Sequence, residues 1–184
     1  MIKWIFKIYL KLNGWKFVGD FPHHIKKAVC IVAPHTSNWD FLIGLAARSI
    51  YGVNAHYLAK KELFDSPMGF FFRFTGGIAV DRKNPHHLTE RIINDSANHG
   101  YFYIAITPEG TRKRVTKWKS GFYNIALNSG IPIIPFALDY KTKEIIAGPP
   151  FYPTGDYQKD LNYFREFYRN ITPKNPENWV ADFE

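Results

Sequence analysis

Two hydrophobic rhythms alternate along this chain. AVCIVAP (28–34) is an unbroken apolar run with β-branched members, the pattern of a strand covered on both faces. YFYIAIT (101–107) and IPIIPFALDY (131–140) read the same way. Shorter strands are expected over 55–60 and 77–82, and KEIIAG (143–148) is placed to pair beside the 131–140 strand. Between them lie helical patterns over 37–51, 66–74, 84–100, 119–130 and 156–170. Thr36 or Ser37 is set to cap the first of these, while Asn84, Pro85 and Gly100 mark the start and end of the 84–100 helix. Strands separated by helices predict an α/β fold: a single domain with a mostly parallel central sheet flanked by helices. No internal repeat, low-complexity tract or long linker divides residues 1–184.

The opening segment follows a different pattern. Lys3, Lys7 and Lys11 recur every four positions, and Trp4, Ile5, Ile8 and Leu12 fall mainly on the other side. That is an amphipathic helix over residues 1–13, ending at Asn13-Gly14. At about 1.5 Å per residue it reaches about 20 Å, short of a hydrocarbon core about 30 Å thick. Two uses stay open: lying in a membrane interface with the lysines toward anionic headgroups, or packing on the domain core. No stretch reaches the roughly 20 apolar residues of a spanning helix. The lysines and the missing small-residue cleavage site speak against a signal peptide.

Charge sharpens the picture. Lys and Arg number 24 against 16 Asp and Glu, a net charge of +8. Residues 1–30 carry Lys3, Lys7, Lys11, Lys16, Lys26 and Lys27 against Asp20 alone, and the cluster Arg112, Lys113, Arg114, Lys117, Lys119 contains no acid. Such clusters attract phosphates on nucleic acid, small molecules or lipid headgroups, and charge alone does not choose among them. The 46% hydrophobic share excludes a disordered chain. Cys30 is alone, which excludes an intramolecular disulfide and a cysteine-based zinc cluster, and suits a reducing compartment. His23-His24 and His86-His87 are adjacent pairs whose members point different ways, with no H-E-x-x-H pattern, so no metal is expected. No G-x-x-x-x-G-K-[ST] or G-x-G-x-x-G phosphate loop is present either.

In a parallel α/β sheet the ligand site lies beyond the strand carboxyl ends. The loop after 28–34 delivers Pro34-His35-Thr36-Ser37-Asn38-Trp39-Asp40, and the loop after 101–107 delivers Pro108-Glu109-Gly110-Thr111-Arg112. Gly77-Ile78-Ala79-Val80-Asp81-Arg82 and Ile131-Pro132-Ile133-Ile134-Pro135 stand between and after them. With these four blocks in this order, the chain resembles the glycerolipid acyltransferase family, typified by bacterial 1-acylglycerol-3-phosphate acyltransferases, over about residues 28–140. Pro34 is a departure, since many members have Asn directly before the histidine.

The resemblance implies an O-acyltransferase moving a fatty acyl group from acyl-CoA or acyl-carrier protein to a lysophospholipid hydroxyl, first of all lysophosphatidate to phosphatidate. His35 is then the general base and Asp40 the carboxylate that fixes its tautomer and stabilises the imidazolium. Arg82, Glu109, Gly110, Thr111 and Arg112 are implied to bind the acceptor. Gly110 permits close backbone approach, Thr111 offers a hydroxyl, and Arg112 presents a fork for phosphate oxygens. Glu109 either accepts hydrogen bonds from glycerol or organises the arginines, and Asp81 either acts directly or pairs with Arg82. No cofactor is implied beyond the thioester donor. The expected setting is the inner face of the cytoplasmic membrane, peripherally bound to an anionic surface.

Other readings stay beside this one. The acceptor is alternatively another lysolipid or a lipidated amino acid. A non-catalytic basic module for membranes or nucleic acid explains the charge but not the order of His35, Asp40, Glu109 and Arg112; no nucleic-acid partner is expected. Ser37 lacks a G-x-S-x-G setting and reads as a helix cap rather than a nucleophile. Pro132 and Pro135 read as structural first. Phe70, Phe71, Phe72 and Phe74 suit an acyl groove, lipid contact or core packing alike.

Overall fold

The computed structural model describes residues 2–80 and 85–184. Its elements are α1 (Ile2–Leu12), β1 (Lys16–Val18), β2 (Lys27–Ala33), α2 (Asn38–Tyr51), β3 (Ala55–Lys60), α3 (Lys61–Phe64), α4 (Gly69–Phe74) and β4 (Gly77–Val80). They continue with α5 (Pro85–Asn98), β5 (Phe102–Ile106), α6 (Gly121–Ser129), β6 (Ile133–Asp139), β7 (Glu144–Ala147) and α7 (Tyr157–Tyr168), then a 3-10 turn at Pro176–Asn178. The strands form one seven-stranded sheet in the order β1-β7-β6-β2-β5-β3-β4. All neighbours run parallel except β6 and β7.

The unbroken apolar run of β2 has its reason in this order. Parallel strands joined by helices are covered on both faces, so both sets of alternating side chains must be apolar. Val29, Ile31 and Ala33 enter the main core with Ile92 of α5, Phe122 of α6 and Phe164 of α7. Ala28 and Cys30 enter a second cluster with Phe21, Ala55 and Tyr103. Burial there pushes the Cys30 thiol up to about 12, which removes its nucleophilic form at neutral pH.

Three features depart from the sequence pattern. β1, too short to carry a period, pairs in parallel with β7, Phe17 opposite Ile145. The helix expected over 66–74 starts only at Gly69. Before it, the hydroxyl of Ser66 donates to the carbonyl of Leu63 at 2.7 Å and closes a turn after α3. In α1, the residues that pack are Phe6 and Leu10, against Ile43, Ala46 and Ala47 of α2. Trp4, Ile5, Ile8 and Leu12 remain exposed, so the helix packs on the core and still presents an apolar face to the outside.

The register positions the functional loops. β2 lies between β5 and β6 and is parallel to both, with Ile31 opposite Ile106 on one side and Pro135 on the other. The carboxyl ends of these three strands therefore emerge side by side. The chain leaves β2 toward β3 and leaves β5 toward β6, so the two connections run in opposite directions along the sheet from adjacent strand ends, the arrangement at which ligands bind in open α/β sheets.

Candidate active site

His35 leaves the end of β2 just before α2. Ser37 is the helix N-cap: its hydroxyl accepts the N–H of Trp39 at 3.2 Å, and the Asp40 carboxylate returns to the Ser37 N–H at 2.8 Å, closing a capping box. The same Asp40 oxygen, Oδ2, accepts the Thr36 N–H at 2.9 Å and lies 3.3 Å from His35 Nδ1. Ser37 and Asp40 thus close the helix start, and the same Asp40 carboxylate orients the imidazole. Asp40 is 2% exposed, so its charge acts on the ring with little water between them. The His35 side chain keeps 14% of its surface open, and Nδ1 faces the carboxylate, which leaves Nε2 for an outside proton donor.

Glu109, at the end of the neighbouring strand β5, turns both carboxylate oxygens to the backbone N–H of His35, at 3.1 and 2.9 Å. It is 4% exposed. Burial pushes its carboxyl up to about 8; the His35 N–H pulls the other way and the Asp40 charge adds to the rise. The sequence pattern led us to expect this side chain on the acceptor or among the arginines. In the structure it reaches the backbone of the histidine, where it ties the two loops together.

From Glu109 the chain turns outward. The Gly110 N–H donates to the carbonyl of Thr107 at 3.0 Å, and Gly110 has φ +65, a left-handed conformation that favours glycine. A Cβ at this position would sit 2.9 Å from the flexible end of the Lys119 side chain, which would have to shift. Thr111 accepts the N–H of Lys113 at 3.2 Å, and Arg112 is exposed. Three residues span at most about 11 Å of extended chain, which bounds how far the Arg112 backbone lies from that of Glu109. Asp81, Arg82 and the Asn84 cap lie outside the described residues.

Two partners of the loop carry no local sequence signal. Tyr140, just past β6, donates its hydroxyl to Asp40 Oδ1 at 2.6 Å. Asn175, far along the chain, donates from Nδ2 to the Thr36 carbonyl at 2.7 Å and from its backbone N–H to the Thr36 hydroxyl at 3.2 Å. Beside it, the Lys174 ammonium sits 4.8 Å from the ring centre of Trp39, adding a cation beside the loop. Position beyond a buried strand was the one available hint for Tyr140; Asn175 had none.

Of the phenylalanine run, Phe72 packs on Phe41 and Phe64, whereas Phe70 and Phe74 stand exposed. Among the described residues no group of three or more His, Cys, Asp or Glu is placed to hold a metal ion. No described helix is long and apolar enough to cross a membrane.

Residues 16–139 match the Acyltransferase family. A Mycoplasma pneumoniae protein named "Probable 1-acyl-sn-glycerol-3-phosphate acyltransferase" is 31% identical over 143 residues, 71% of this chain and 52% of its own length. The 1-acyl-sn-glycerol-3-phosphate acyltransferase of Limnanthes douglasii is 30% identical over 150 residues, 75% of this chain and 48% of its own. The chain thus spans about half the length of these curated relatives. The crystal structure of the 1-acyl-sn-glycerophosphate acyltransferase PlsC from Thermotoga maritima superposes with a TM-score of 0.60 at 20% identity, covering 90% of this chain and 74% of that one, which shows a shared fold.

Proposed function

The chain belongs to the acyltransferase family, and on that footing we propose that it esterifies the free hydroxyl of a lysophospholipid with a fatty acyl group taken from acyl-CoA or acyl-carrier protein. The acceptor is 1-acylglycerol-3-phosphate and the product phosphatidate. The observation that carries this reading is His35 held with Nδ1 against a buried Asp40 at the carboxyl end of a central strand. A glycerol hydroxyl is a poor nucleophile at neutral pH. His35 Nε2 takes its proton as the oxygen attacks the thioester carbonyl, and Asp40 stabilises the imidazolium that forms. The C–S bond then breaks, and the imidazolium returns the proton to the departing sulfur. The acyl group passes directly to the acceptor, without a covalent enzyme intermediate.

Gly110, Thr111 and Arg112 hold the acceptor's phosphate, the guanidinium supplying paired N–H donors, and Arg82 adds a second positive charge. The enzyme works at the inner face of the cytoplasmic membrane. The exposed apolar residues of α1 enter the interface and its lysines meet anionic headgroups.

The test is a panel of lysolipids assayed with labelled acyl-CoA and acyl-carrier protein. His35→Ala is expected to abolish transfer while circular dichroism stays unchanged; retained turnover rules out the base. Arg112→Ala should raise KM for phosphate-bearing acceptors far more than for phosphate-free ones, and an equal rise on both counts against the phosphate contact.

A further inference from the structure

The Asp40 carboxylate has two oxygens with different duties. Oδ2 serves the N–H groups of Thr36 and Ser37 and faces the His35 ring. Oδ1 receives the hydroxyl of Tyr140 at 2.6 Å. A buried carboxylate oxygen without a donor is costly, and rotation of the group would exchange the two oxygens at the ring.

Tyr140 is itself held from several sides. Its backbone N–H donates to the Thr172 carbonyl at 2.8 Å, its ring meets Trp15 edge to face at 5.0 Å, and the Lys143 ammonium lies 5.7 Å from its ring centre. The titratable groups around the His35–Asp40–Tyr140 chain are Glu109 from the β5 loop, Tyr9 from α1 and Lys143 from the β6–β7 turn. Burial, then the bond and charge of Asp40, keep the Tyr140 hydroxyl protonated far above the ordinary tyrosine range, so it remains a donor.

We propose that Tyr140 is a positioning residue for the reaction: it fixes the rotation of the Asp40 carboxylate and shares its charge, so that Oδ2 accepts the His35 ring N–H without removing that proton. The inference rests on His35 acting as the base, and it adds a third member, one residue past the strand that begins in the fourth block. Because β6 is parallel to β2 and directly beside it, the same register that brings Glu109 behind His35 on one flank brings Tyr140 behind Asp40 on the other.

The test is Tyr140→Phe in the full chain, with two readouts. In proton NMR, the His35 Nδ1–H signal, assigned by its loss in His35→Ala, should move downfield, because a carboxylate relieved of the phenol binds the ring proton more strongly. In acyl transfer, kcat should fall on the order of tenfold with KM unchanged, and the acid limb of kcat/KM should move to higher pH. An unmoved proton signal overturns the proposal, whether or not the variant is less stable. If the unaltered protein transfers no acyl group to any lysophospholipid, the functional reading fails, and the proton signal still decides what Tyr140 does to Asp40.

Discussion

Both carboxylate oxygens of Glu109 point at the backbone N–H of His35. A side chain from one strand end thereby fixes the backbone of the residue we propose as the base on the next. The bond is made in a buried place that raises the carboxyl to about 8 from an ordinary 4.5. Folding therefore favours the protonated acid.

The sign of the pH dependence follows. Glu109 contributes its stability fully below about 4.5, and that contribution is lost as pH rises to about 8. Urea midpoints measured from pH 4.5 to 8 should decline in the unaltered protein relative to Glu109→Gln, whose amide does not titrate. Parallel curves for the two proteins would show that Glu109 does not titrate differently on folding.

Asp40→Asn separates charge from shape. With its oxygen toward Thr36, Ser37 and His35, the amide nitrogen faces the Tyr140 hydroxyl, which turns from donor to acceptor. The fold and the capping box survive, but the imidazolium loses its counter-charge, and kcat should fall about a hundredfold. Asp40→Ala should also lose about 0.5–2 kcal/mol of stability with the cap. Equal activity in Asp40→Asn and the unaltered protein would remove the charge from the mechanism.

Much of this could be read before any coordinates, for physical reasons that differ by residue. β2 was legible because a strand covered on both faces admits nothing polar across Ala28 to Ala33, and Asp40 because it sits within one helical turn of His35. The contact of Glu109 with His35 was not. Its partner is a backbone N–H 74 positions away, and only the pairing of β2 with β5 brings the two together. Tyr140 is 100 positions from Asp40 and Asn175 is 139 from Thr36, distances over which periodicity says nothing. In α1 the apolar stripe was visible, but which part of it packs was decided by Ala46 and Ala47 of α2, small residues that admit Leu10.

Asn175 tests whether the distant C-terminal segment matters to the loop. Asn175→Ala removes the 2.7 Å bond to the Thr36 carbonyl and keeps the backbone bond to its hydroxyl. We expect a loss of about 1 kcal/mol in stability by chemical denaturation, with a several-fold fall in kcat. A drop in stability with kcat untouched would confine Asn175 to holding the chain together.

The two faces of α1 predict opposite phenotypes from neighbouring leucines. Leu10 is 1% exposed and packs with Ile43 and Leu138, so Leu10→Ala should cost about 2–5 kcal/mol of stability. Leu12 is 81% exposed and Ile8 54%, so the double substitution Ile8→Asp, Leu12→Asp should change stability little. Its effect should appear on membranes instead, because it removes apolar surface from the interface and sets two negative charges among Lys7 and Lys11, against the anionic lipid. Cosedimentation with vesicles of phosphatidylglycerol and phosphatidylcholine should fall at least about tenfold, while the thermal midpoint stays within a few degrees. Undiminished cosedimentation of the double variant would mean that α1 serves the core alone, and that the protein meets its lipid through another surface.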